Sequence, residues 1–222
     1  MMMAEATNHY FKHLGVSDGL SQVCIPSIYQ DELGAVWLGT TEGLNRYNGK
    51  DVKVFQPSES NHGLTNNEIN ELCGDKNGRM YIRSGNDLIK LDIYTEQFTC
   101  LRQKGVYGLF CKKDTLWVSC ADGIYYYTGQ GTELTFFARV QKGFVGRALY
   151  VDKETVWVVT RKYLVAISRE DPLRQEILLT LDKGNCILGD SSGNIWVGAW
   201  NGLYRVSPDR ETTAYVSHSG MG

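Results

Sequence analysis

Proline and histidine are scarce here, with only 4 of each in 222 residues. Net charge is almost absent as well, at −2, and no run of one sign is long enough to form a tail. That removes the electrostatic footprint expected of a nucleic-acid or anionic-lipid binder. No apolar stretch is long enough to span a bilayer as a helix. The opening residues, Met1-Met-Met-Ala-Glu-Ala-Thr-Asn-His-Tyr10, lack the basic start and apolar run of a secretion signal. Taken alone they read as cytoplasmic; read as the start of a shortened piece, they leave an upstream signal open. Enzyme signatures are missing too. There is no Gly-x-Ser-x-Gly elbow, phosphate-cradling glycine loop or His-Glu-x-x-His.

Six cysteines (Cys24, Cys73, Cys100, Cys111, Cys120, Cys186) form no Cys-x-x-Cys pair and keep no fixed spacing, so metal ligation has little support. They read as small apolar residues packed on strands, with one disulfide left open. His13, His62 and His218 fall in connections, where turn capping is expected ahead of zinc ligation; His9 precedes them. Asp75-Lys-Asn-Gly78 and Asp190-Ser-Ser-Gly193 lack the further acidic ligands of a calcium loop and read as hairpin turns. No metal and no cofactor is expected.

What the chain does have is 24 glycines, 13 tyrosines and 5 tryptophans, which suit short strands joined by tight turns. It also has an internal repeat. Trp37, Tyr81, Trp117, Trp157 and Trp196 are spaced by 44, 36, 40 and 39 residues. Seven positions after each stands an aliphatic residue (Leu44, Leu88, Ile124, Leu164, Leu203), and ten positions after each a further large apolar one (Tyr47, Leu91, Tyr127, Ile167, Val206). Asp31, Asp75 and Asp190 precede the aromatic by six residues, each with glycine three further on, and this is hairpin chemistry because the carboxylate accepts local backbone N–H groups.

Four short antiparallel strands per copy, repeated about every 40 residues, predict an all-β fold, a β-propeller of five four-stranded blades. The blades fall near 21–57, 66–102, 105–139, 145–180 and 184–217. A four-stranded sheet cannot bury both of its faces alone. Radial packing can, and the five repeat aromatics are therefore predicted as core anchors. Residues 9–14 resemble an outer strand whose blade is missing. An incomplete part of a larger ring is the preferred reading, with a five-bladed ring carrying a redundant outer strand as the alternative. An incomplete ring would expose apolar faces and associate.

Tyr10-Phe-Lys-His-Leu-Gly-Val-Ser-Asp-Gly-Leu-Ser-Gln22, followed by Ile28-Tyr-Gln-Asp-Glu-Leu-Gly-Ala-Val-Trp-Leu-Gly-Thr-Thr-Glu-Gly-Leu-Asn-Arg-Tyr-Asn-Gly49, resembles the start of the sensor region of hybrid two-component histidine kinases. The repeat is similar to the two-component regulator propeller repeat, and Asp190 to Tyr204 is another good copy. The resemblance implies seven-bladed rings outside the inner membrane, hence a periplasmic input domain sensing polysaccharide breakdown products. It also implies that kinase modules lie elsewhere, since their motifs are not in this chain, which is not expected to be an enzyme. Implied partners are an oligosaccharide, the remaining blades and downstream sensor domains, and a second copy as a homodimer, with no nucleic acid and with membrane contact only through a downstream segment. A non-catalytic interaction scaffold is the alternative, and a polysaccharide lyase a distant third.

In a propeller the loops joining second to third strands share one face with the connections between blades. These loops span 40–42, 83–86, 119–122, 160–162 and 198–201. They present Arg83, Arg161, Trp200 and Asn201, a hydrogen-bonding and stacking set that would suit a carbohydrate.

Overall fold

Short runs of β-branched and aromatic residues, most closed by a turn with glycine or aspartate, give twenty strands and no α-helix among the described residues. The computed structural model describes residues 13–57, 63–102, 104–141 and 144–215. Blade 1 contains β1 (Ser27–Gln30), β2 (Val36–Thr40), β3 (Gly43–Tyr47) and β4 (Val52–Phe55). Blade 2 contains β5 (Ile69–Gly74), β6 (Arg79–Ser84), β7 (Asp87–Asp92) and β8 (Gln97–Arg102). Blade 3 contains β9 (Val106–Lys112), β10 (Thr115–Cys120), β11 (Gly123–Tyr127) and β12 (Thr135–Ala138). Blade 4 contains β13 (Gly146–Val151), β14 (Thr155–Thr160), β15 (Tyr163–Ser168) and β16 (Gln175–Thr180). Blade 5 contains β17 (Cys186–Gly189), β18 (Ile195–Ala199), β19 (Gly202–Val206) and β20 (Thr212–Tyr215). Each sheet is an antiparallel meander in chain order.

The inner strands β1, β5, β9, β13 and β17 lie side by side in that sequence, so the blades follow one another around an axis. Of the expected 9–14 strand, residues 9–12 lie outside the described residues, and His13 and Leu14 are not in a strand. His9, His62 and His218, and residues 216–217 of the last expected blade, also lie outside them. A single 3-10 turn at Val16–Asp18 leads into blade 1.

Register gives every blade a front and a back. The repeat aromatics pair directly with inner-strand residues: Trp37 with Tyr29, Tyr81 with Cys73, Trp117 with Phe110, Trp157 with Tyr150 and Trp196 with Leu188. Residues paired in this way share a face. That front face meets the back of the next blade, whose own aliphatic residues stand one position out of phase.

Four buried clusters follow from this. Trp37, Leu44 and Phe55 of blade 1 pack on Leu72, Met80, Ile82 and Leu91 of blade 2. Tyr81 and Leu88 pack on Leu109, Leu116, Val118 and Tyr127. Trp117 and Ile124 pack on Leu149, Val156, Val158 and Ile167. Trp157 and Leu164 pack on Ile195, Val197, Tyr204 and Val206.

No such cluster joins blade 5 to blade 1 among the described residues. On the front of blade 5, Leu188 is 64% exposed, and Leu203 and Tyr215 are exposed as well. On the back of blade 1, Ile28 is 63% exposed. Trp196 therefore departs from the expectation of a core anchor. It is half-buried, because its indole sits on a face that no described blade covers. The other four anchors are buried.

The turn aspartates do more than close hairpins. One carboxylate oxygen of Asp31 accepts the backbone N–H groups of Leu33 and Ala35, at 3.0 and 2.8 Å. The other accepts the indole N–H of Trp37 at 2.8 Å. The arrangement recurs as Trp157 to Asp152 at 2.6 Å and Trp196 to Asp190 at 2.8 Å. A buried indole needs a partner for its one donor, and the turn supplies it. In blade 2, where tyrosine replaces tryptophan, Asp75 takes the Nε of Arg79 instead. Gly34, Gly78 and Gly193 hold φ of +86°, +86° and +83°, which is why glycine closes this turn.

Candidate functional site

Sequence places the second-to-third-strand loops and the interblade connections on one face, and backbone hydrogen bonds weld them together there. Gly85 N–H donates to Glu68 O at 2.7 Å, Ala121 to Gly105 O at 2.8 Å, Leu181 to Lys162 O at 2.7 Å, Gly184 to Arg161 O at 3.0 Å and Trp200 to Asp182 O at 2.9 Å. Buried hydroxyls at the ends of the second strands reinforce the junction. Thr160 Oγ1 accepts from Lys162 and Tyr163 N–H and donates to Tyr163 O, and Ser119 Oγ donates to Gly146 O of the next blade at 2.9 Å.

Of the four predicted site residues, Arg161 and Trp200 come together. They line a cleft of about 560 Å³ between blades 4 and 5, with Arg147, Lys183, Gly184, Asn185, Cys186, Gly198 and Ala199. Trp200 is 78% exposed, and the Nζ of Lys183 sits 4.8 Å from the centre of its ring. Lys183 holds φ of +49°, a left-handed conformation rare for a side-chain-bearing residue. Three cations line the cleft, and no carboxylate does.

Asn201 belongs to the support of this cleft, since its Oδ1 accepts the N–H of Asp182 at 3.4 Å. Arg83 lies elsewhere. It lines a second cavity of about 570 Å³ on the axis, with inner-strand residues of all five blades. There its Nε pairs with Glu71 Oε2 at 3.3 Å, so its guanidinium is already engaged in holding the channel wall. Glu71 also accepts the N–H of Leu109, at 3.2 Å. Burial pushes its carboxyl up to about 7 against the opposing pull of Arg83.

The two cavities share Arg147, Asn185 and Cys186. Sequence reasoning missed Arg147, Lys183 and Asn185. They sit at the start of an inner strand and in an interblade connection, where no repeat position or motif marks them. Two cysteines also depart from the expectation of packed strand residues. Cys24 precedes β1 and Cys186 starts β17, and both are exposed.

Residues 19–42 match the family described as two component regulator propeller. A stretch of 55 residues is 38% identical to histidine kinase P4 of Formosa agariphila, covering 25% of this chain and 4% of that protein. Among solved structures, the extracellular domain of BT3049 from B. thetaiotaomicron, described as a hybrid two component system, superposes with a TM-score of 0.80 at 22% identity. It covers 92% of this chain and 32% of its own. The extracellular domain of BT4673 from the same organism, described as a one component system, gives 0.77 at 20% identity, covering 93% and 33%. The present chain thus spans about a third of each solved domain and a small fraction of the kinase. Among the described residues no helix is long and apolar enough to cross a membrane. Residues 19–42 thus match the two component regulator propeller family, within a chain whose described residues form five four-stranded β-propeller blades.

Proposed function

We propose that this chain is part of the input region of a two-component sensor, placed outside the cytoplasm, and that its loop face recognises oligosaccharides released from polysaccharides. The cleft between blades 4 and 5 carries the reading. An exposed indole offers a flat apolar surface on which a sugar ring can stack, while Arg147, Arg161, Lys183 and Asn185 supply donors around it. Three cations without a lining carboxylate favour sugars that bear a carboxylate or sulfate over neutral ones. Signalling requires more than binding. The ligand must prefer one arrangement of the sensor over another, and the motion is read by modules beyond this chain.

Calorimetric titration with matched neutral and acidic oligosaccharides tests the reading. Acidic sugars are expected to bind, with affinity falling as salt rises. Trp200→Ala is expected to weaken binding about tenfold, the loss of roughly 1.4 kcal/mol of stacking. If no oligosaccharide of either kind gives heat with the propeller, the chain is better read as a non-catalytic interaction scaffold.

A further inference from the structure

Cys73 and Cys111 stand on neighbouring inner strands, β5 of blade 2 and β9 of blade 3. Strand alternation turns them toward each other. Cys73 pairs with Tyr81 and so shares the front face of blade 2. Cys111 follows Phe110, which is on the front of blade 3, and so points back. Both pack against the apolar cluster that joins these two blades. Both cysteines are free in this structure, with Sγ atoms 2.7 Å apart, closer than two unbonded sulfurs rest and longer than the roughly 2.05 Å of a bond. A shared metal does not account for the approach, because among the described residues no three ligand-type side chains gather around it.

We infer that Cys73 and Cys111 form a disulfide that staples blade 2 to blade 3 across the inner strands. The oxidant is a disulfide-bearing partner, either a small-molecule disulfide or the disulfide of a thiol oxidase. One cysteine thiolate attacks the oxidant and forms a mixed disulfide. The second thiolate then attacks the protein sulfur, the Sγ–Sγ bond forms and the oxidant leaves as two thiols, which carry away the two protons and two electrons. Burial, then the adjoining Cys111 sulfur, holds the Cys73 thiol well above the ordinary thiol range. Attack from the Cys73 sulfur is therefore slow once the two blades have docked. The staple is independent of what the loop face binds and needs only an oxidising compartment.

The full chain is exported to a bacterial periplasm and, separately, refolded in a glutathione redox buffer. Denaturing alkylation and peptide mapping follow. Four of the six thiols should be labelled, the intact mass should fall by about 2 Da, and one linked peptide pair should contain Cys73 and Cys111. Reductant should lower the urea midpoint of the native chain and leave that of a Cys73→Ser, Cys111→Ser double variant unchanged. Six free thiols in both preparations would overturn the inference. So would a bond that uses Cys24, Cys100, Cys120 or Cys186 in place of this pair.

Discussion

Asp31 satisfies three donors at once, two in its own turn and one on an indole that is fully buried in the blade 1–blade 2 junction. Asp31→Ala leaves them without a protein acceptor, and should cost about 3 kcal/mol, read from urea denaturation of the purified chain. Glu71 behaves in the opposite sense to most carboxylates. Its pKa rises from 4.5 toward about 7 on folding, chiefly through burial, so the folded state holds the proton more tightly than the unfolded chain does. Its contribution to stability is full below about pH 4.5 and is lost as pH rises through 7. Glu71→Gln should flatten that slope, measured by urea midpoints taken from pH 4.5 to 8. Asp190 runs the usual way. Hydrogen bonds from the Trp196 indole and from Asn194 lower its pKa from 3.8 to about 2, so its contribution is present above pH 4 and fades between 4 and 2. At this scale the sequence revealed the turn aspartates and their backbone partners. It did not reveal the indole acceptor, because that contact depends on which way the second strand folds back over the turn. Arg83 looked free for the same reason: its partner Glu71 is twelve residues away in sequence and becomes a neighbour only through strand pairing.

A blade is a meander whose front carries one large aromatic and one aliphatic residue seven positions later, and whose back carries the residue ten positions after the aromatic, aliphatic in blades 2, 4 and 5 and tyrosine in blades 1 and 3. The fixed spacing made the repeat positions and the five four-stranded blades legible. What spacing could not reveal is whether a given face has a neighbour. Trp157 is enclosed by blade 5, whereas Trp196 repeats its chemistry on a face left half-open. Trp157→Ala should therefore cost about 3–5 kcal/mol and Trp196→Ala about half of that, both by urea denaturation with the pair compared in one buffer. Equal losses would mean that Trp196 is covered as fully as the others. The loop face was legible only in part. The second-to-third-strand loops pointed to Arg161 and Trp200, but Lys183, Gly184 and Asn185 come from the connection into blade 5, and no motif marks them.

At the scale of the molecule, among the described residues four junctions are filled and two faces keep exposed apolar side chains, one with Leu188, Leu203 and Tyr215 and the other with Ile28. Exposed apolar surface of this kind drives association. The 222-residue chain should show concentration-dependent mass in sedimentation, and Leu188→Lys with Leu203→Lys should shift it toward monomer without lowering the unfolding free energy by more than about 1 kcal/mol. The front-to-back polarity of the blades has a wider consequence. A contact between two identical patches saturates at a pair, whereas a front that fits only a back never satisfies itself and grows head to tail until the rotation per unit closes the circle. Blade number is therefore written in an angle and in no single contact. A unit duplicated or lost in the gene arrives with its own donor and acceptor surfaces already matched, so rings of different size can be reached without redesigning any junction between neighbours.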